Sequence, residues 1–384
     1  MIKFRQHDPK VLIIPFIIYL SLFFGPLSSK AHNNFFYLVI LVPFVLFIRV
    51  KKEDLFNVIK SKGFILVFIL VSYLALTVFL NMQFVSLSEI VKPFRHWFSF
   101  LVFFFLCVLL FSKYDLEEKM NYVSLWAAIW GGLSILLFFY DKPFAQRLLF
   151  YGRVESPIFG ACTYATLFLF LMFSEKKTGK ALRICALSIL LLSIIFAQSR
   201  GPILALSVAV VAGLIGQSRK IMPFIIGGSG IVLWVLDYLK IISCGRIFWA
   251  HSSFRIPIWK QVISESINSG AWLFGHGIAV NETVTITPAL SFPHAHSGYV
   301  GTFFIGGIIG VVLLLNLAVH IARQSLTIKS VRENGLAISL VVFALLSIAT
   351  DTHILLKGPH PTWFFFWLPV AYLVAEEIKN SAEQ

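Results

Sequence analysis

Apolar runs separated by short basic connections organise almost the whole chain. They lie near 11–28, 34–50, 63–80, 96–112, 120–140, 157–174, 181–198, 201–217, 221–239, 298–320, 335–350 and 362–375. Most approach the roughly 20 residues that carry a helix across a bilayer. A helix also satisfies its own backbone polar groups inside lipid. The pattern predicts an all-α polytopic membrane protein with about twelve transmembrane helices. The first run follows a basic start and lacks a small-residue cleavage site, so it is expected to be retained as the first span.

One connection breaks this rhythm. Residues 240–297 are too many for a structureless loop in a packed protein, so a large external loop containing short helices is expected. Within it, FRIPIWKQVISESI places Phe254, Ile258, Val262, Ile263 and Ile267 at helical spacing, with Arg255 and Trp259 four residues apart on one face. An amphipathic helix is expected there, then a turn at GHG and an extended VTITPALSF. The chain divides into nine transmembrane helices over 1–239, the loop over 240–297, and three more helices with a cytoplasmic tail over 298–384.

Composition agrees with this reading. Of 384 residues, 58% are hydrophobic and 13% charged, and the mean hydropathy is +0.85, more apolar surface than a soluble domain can bury. The four cysteines, Cys107, Cys162, Cys185 and Cys244, form no CxxC pair, and nothing suggests a disulfide framework or zinc site. No P-loop, dinucleotide fingerprint or paired-carboxylate pattern occurs, so ATP-driven chemistry is unsupported.

Charge orients the bundle. Lys and Arg total 32 against 18 Asp and Glu, a net +14, but the basic residues sit mostly in short connections, which points to topology rather than nucleic acid. With both termini cytoplasmic, twenty basic residues fall inside and twelve outside. The outer twelve are Lys30, Lys92, Arg95, Lys142, Arg147, Arg153, Arg200, Lys240, Arg246, Arg255, Lys260 and Lys357. Topology gives no reason for these.

Four stretches could carry chemistry. In AQSRGP, Gly201-Pro202 breaks the helix and leaves Arg200 at a span end, where a guanidinium either grips phosphate oxygens or snorkels to headgroups. In FRIPIW, Arg255 is by itself a helix-surface arginine beside an interfacial Trp259. In VKPFRHWF, Lys92, Arg95 and His96 gather around Pro93, which is expected to start a span; they suit phosphate or lipid headgroups. In FPHAHSGY, His294 and His296 alternate, so both rings face one side of an extended segment. An imidazole beside a fixed guanidinium is held neutral and can take a proton. A metal would need a third ligand, and His276, Glu282 and His251 lack the spacing. Ser297 could simply cap the following helix.

The order of these pieces resembles a known family. K-P-x-R before a span, QSRG at a span end, then a late large loop with R-x-x-x-W, a WLFGHG turn and H-x-H-S leading into a glycine-rich helix: this is similar to the O-antigen ligase and polymerase superfamily. The layout covers nearly the whole chain, and the specific motifs occupy a few short stretches. The family usually shows Asn where Ser297 stands.

The resemblance implies an inner-membrane, C-type, inverting glycosyltransferase without metal or other cofactor. It would move O-antigen from undecaprenyl diphosphate to a sugar hydroxyl of lipid A-core on the periplasmic face, in lipopolysaccharide biosynthesis. Arg200 and Arg255 would grip the donor diphosphate, with Lys92 and Arg95 adding charge. His296 would activate the acceptor hydroxyl, supported by His294, with Trp259 and Ser297 at the substrate. The partners implied are the lipid-linked donor, the lipid A-core acceptor and membrane lipid, not nucleic acid or ATP. The O-antigen polymerase and protein O-oligosaccharyltransferases share the donor end; the K-P-x-R cluster and single late loop favour the ligase. A transporter or flippase for an anionic lipid-linked glycan is the reading from another class, and it expects charges deep within several spans.

Overall fold

A computed structural model describes residues 8–84, 86–174, 179–217, 255–280, 283–287, 290–328, 330–352 and 354–382. The expected span 221–239, the loop stretch 240–254 and the candidate ligands His251 and Glu282 lie outside the described residues.

Helices dominate: α1 (Pro9–Ser21), α2 (Ser29–Phe47), α3 (Lys52–Lys60), α4 (Lys62–Leu80), α5 (Leu87–Lys113), α6 (Leu116–Phe139), α7 (Pro157–Phe173), α8 (Lys180–Phe196) and α9 (Arg200–Gln217). After them come α10 (Arg255–Asn268), the strands β1 (Val284–Thr287) and β2 (Leu290–Phe292), α11 (Gly298–Thr327), α12 (Val331–Asp351) and α13 (Leu368–Ala382). A π-helical turn, Trp363–Trp367, leads into α13. The other eleven expected apolar runs fall on helices. Six of these helices, α2, α4, α5, α6, α9 and α11, are long and apolar enough to cross a membrane, while α1, α7 and most of α12 are shorter apolar helices. This is an all-α polytopic architecture.

Aromatic side chains fill the bundle centre. Trp363 stacks on Phe103 with ring centroids 4.6 Å apart, and Trp367 lies 4.7 Å from Phe100, so α13 is held against α5 by large buried rings. Elsewhere small residues bring helices together. Gly213 and Gly216 of α9 meet Gly335, Ser339 and Asn334 of α12, where a side chain would have no room.

Two helix starts follow local chemistry rather than the apolar pattern. α5 begins at Leu87, not at Pro93: Ser86 and Glu89 form a reciprocal capping box, and Pro93 sits inside the helix. Two satisfied N-terminal groups outweigh the single internal bond the proline removes. α10 has Pro257 in its first turn, where the missing N–H costs nothing, and Gly270 at φ +77° ends it. Its buried stripe is Ile258, Val262 and Ser266; Ile263 and Ile267, expected on the same face, are exposed. The stripe turns inward at i, i+4, i+8 and the remaining isoleucines look outward.

The segment expected to be extended forms an antiparallel hairpin, with Val284 opposite Phe292 and Thr285 opposite Ser291. It delivers the chain to His294 beside the start of α11.

α11 is not continuous. Gly307 has φ +59° and ψ −160°, outside helical values, and the Trp272–Gly277 turn docks into the break. His276 and Gly277 donate their N–H groups to the Phe304 and Ile305 carbonyls at 2.7 and 3.0 Å, and Ile308 donates to Trp272 O at 2.9 Å. From α4, Tyr73 Oη donates to Gly306 O at 2.7 Å, and Thr77 Oγ1 accepts from Ile278 N at 3.1 Å. Irregular backbone at such depth requires partners of this kind. A Cβ on Gly275 would fall on the Ile305 carbonyl and one on Gly307 on the Leu273 carbonyl, so both glycines are demanded by the contact as well as by their positive φ.

Candidate functional site

His294, Ala295 and His296 form a tight loop between β2 and α11. Ala295 is fully buried, and its carbonyl accepts a hydrogen bond from Trp259 Nε1 at 2.9 Å. That bond ties the histidine loop to α10, the helix that carries Arg255 one turn earlier. His296 has φ +52°, a left-handed backbone that costs a non-glycine residue about 1 kcal/mol. The kink brings the imidazoles together: the centroids of His294 and His296 are 4.0 Å apart at an interplanar angle of 64°.

Electrostatics keep both rings neutral. Burial lowers the His296 pKa from its ordinary value and the nearby Arg255 guanidinium lowers it further. His294 is pushed down to about 4, first by burial, then by the charges of His296 and Lys357. A neutral imidazole is an available proton acceptor.

Beside this loop lies a cavity of about 530 Å³. Its walls come from the outer end of α5 (Glu89, Lys92, Pro93, His96), the docked turn (Ile278 to Val280), Thr283, Pro293, Phe304 and Ile305 of α11, and the segment holding Ile354, Leu356 and Lys357. Lys92 and His96, four residues apart, face the cavity; Arg95 is exposed and does not line it. Pro293 in its wall is one residue from His294, so cavity and histidine loop are contiguous.

Across an alignment covering 96% of this chain and 93% of the relative, the sequence is 24% identical to the O-antigen ligase of Pseudomonas aeruginosa. No protein-family model matches. The chain is thus similar along nearly its whole length to a protein named O-antigen ligase.

The other residues singled out from the sequence take different places. Arg200 begins α9. That helix runs antiparallel to α12, with Gly213 against Gly335 and Ser339. Thirteen residues is about 20 Å of helix, which sets Arg200 level with Ile348 to Thr352 of α12. These are the residues on which Gly298, the first of α11, closes. Arg200 therefore stands at the depth of Ser297, one helix away across α12.

The approach to Arg200 is stitched in place. Gln198, buried at φ +46°, points its amide nitrogen at the carbonyls of Phe144, Ala145 and Gln146 at 3.3, 3.4 and 3.2 Å. Arg147 Nε donates to Ala197 O at 3.2 Å, and Leu148 N to Phe196 O at 2.9 Å. Glutamine and arginine of the QSRG stretch thus divide the work, Gln198 anchoring the loop and Arg200 opening the helix.

Ser297 is buried at the α11 N-cap, its hydroxyl accepting from Val300 N at 3.5 Å. His276 stacks on Phe304 with centroids 4.5 Å apart and belongs to the docked turn. Among the described residues, no three His, Cys, Asp or Glu side chains converge as metal ligands. Pattern reading placed the turn at GHG but not its docking into the break of α11, and it gave Gln198 no role of its own. The signals were present in the glutamine before a guanidinium at a span end and in the paired glycines of GHG and GG.

Proposed function

We propose that this chain is an O-antigen ligase, transferring glycan from undecaprenyl diphosphate to a sugar hydroxyl of lipid A-core on the periplasmic face of the inner membrane. The observation that carries this reading is the neutral His296, held on a buried, Trp259-anchored loop between the Arg255 charge and a cavity lined by Lys92. His296 Nε2 or Nδ1 takes the proton as the acceptor oxygen forms its bond to the anomeric carbon. The bond from that carbon to the diphosphate breaks, and the lipid diphosphate leaves with the electron pair. Arg200, Arg255 and Lys92 stabilise the developing charge, Arg95 adds charge at the rim, and His294 supports His296. A single displacement inverts the anomeric configuration. The leaving group already stores the energy of transfer, so ATP is not needed.

The orientation, with both termini cytoplasmic and residues 240–297 periplasmic, follows from the basic-residue bias. Further support comes from the crowding of candidate residues at one end of the bundle, which suits surface transfer rather than a translocation path. A deletion strain tests the assignment. Long glycan accumulating on the lipid carrier means ligase; a core bearing one repeat means polymerase; unchanged lipopolysaccharide contradicts both.

A further inference from the structure

Lys357 stands between α12 and the π turn before α13, in the sequence Ile354-Leu355-Leu356-Lys357-Gly358-Pro359. The backbone around it is fixed at alternate carbonyls. Trp367 Nε1 donates to Leu355 O at 2.9 Å, Trp363 Nε1 to Lys357 O at 3.0 Å, and Arg153 Nη2 to Pro359 O at 2.7 Å. Gly358 packs so closely on the His96 ring that an added Cβ would lie 3.2 Å from it. Two buried indoles and a guanidinium thus hold the segment against the cavity wall.

The side chain so presented is half-buried and lines the cavity together with Lys92 and His96. Among the described residues, no carboxylate lies within ion-pair distance of Lys357 or Lys92. Glu89, in the same wall, has committed its carboxylate to the Ser86 N–H and hydroxyl, each at 2.8 Å. Burial, with the charges of Arg153 and Lys92, lowers the Lys357 pKa from its ordinary value. Two like charges lining one cavity repel each other, and an anion between them would relieve that repulsion. The chain retains a lysine where an apolar residue would pack beside Ile354 and Leu356.

We infer that Lys357 is a donor-binding residue, which with Lys92 closes on the diphosphate of the lipid-linked glycan. This rests on the proposed ligase function and adds a grip that function did not assign. The diphosphate would lie between the two lysines, with its glycosidic end toward the histidine loop: Lys357 is the cavity cation whose field reaches His294.

The test uses the full chain in nanodiscs with undecaprenyl diphosphate and undecaprenol as probes, bound and quantified by native mass spectrometry. Wild type is expected to prefer the diphosphate. Lys357→Met is expected to lose about tenfold or more of that affinity while binding undecaprenol unchanged, and Lys357→Arg to keep most of it. Because the anchoring bonds use backbone carbonyls, Lys357→Met is expected to fold; Lys357→Gln provides a second neutral variant. Diphosphate affinity equal to wild type in a folded neutral variant overturns the role of Lys357 and leaves the ligase assignment standing. A wild type with no preference for diphosphate over undecaprenol overturns the donor assignment and the inference together. With turnover as the readout, Lys357→Met is expected to raise KM for donor more than it lowers kcat.

Discussion

Replacing Trp259 by Phe removes one donor and little else. The ring keeps its packing, while Ala295 O, fully buried between the two histidines, loses the 2.9 Å hydrogen bond that holds it. An unsatisfied buried carbonyl costs about 1–3 kcal/mol. That range meets or exceeds the roughly 1 kcal/mol needed to keep His296 at positive φ, so the loop is expected to leave its kinked form. If the loss falls on the population with His296 correctly aimed, turnover drops by about five- to 150-fold at roughly 1.4 kcal/mol per tenfold. The assay is transfer from lipid-linked glycan to lipid A-core by purified protein in nanodiscs, at matched protein and saturating donor. Donor affinity is expected to stay within about twofold, since the lysines and arginines are untouched. Trp259→His, which restores a ring N–H near the same place, is expected to recover part of the rate. Trp259→Phe turning over at the wild-type rate would refute the claim that this bond aims the base.

Other consequences are as specific. Burial and Arg255 lower the His296 pKa from the 6.5 of a free imidazole, so the base form persists on acidification and the acid limb of kcat is expected below pH 6.5; residual activity of Arg255→Gln is expected to show that limb moved upward. A limb at or above 6.5 in the wild type would contradict this placement. Gly307→Ala sets a methyl on the Leu273 carbonyl at positive φ and endangers three loop bonds, a combined loss of roughly 2.5–6 kcal/mol. Limited proteolysis is expected to cut the 271–277 turn in this variant and spare it in wild type. Gln198→Leu strips the amide from three carbonyls of residues 144–146 and is expected to lower thermal stability by several degrees together with activity; an unchanged melting temperature would show that the amide is dispensable.

Much of this molecule was legible because bilayers impose long apolar runs. The helix carrying Arg255 and Trp259 follows from spacing, whereas the stretch expected to be extended after GHG folds back as a hairpin and the two histidines meet through the left-handed kink at His296 rather than through extended alternation. What pattern could not give was non-local. The break in α11 exists because a turn some 30 residues earlier supplies its hydrogen-bond partners, and a glycine-rich helix reads the same with or without that visitor. The start of α5 was misplaced because Pro93 is a loud signal and the Ser86–Glu89 box a quiet one. Ile263 and Ile267 share a helical period with Ile258 and Val262, but the hairpin covers only one side. Lys357 appeared only as an outward positive charge; its rigid mounting depends on indoles six and ten residues downstream.

The most direct measurement is glycan transfer by the purified chain and its His296→Ala variant, given undecaprenyl-diphosphate glycan and lipid A-core in nanodiscs. Wild type is expected to form capped product with inverted anomeric linkage, and His296→Ala to form none while binding donor as before. Transfer by His296→Ala at the wild-type rate would contradict the assignment of His296 as the base.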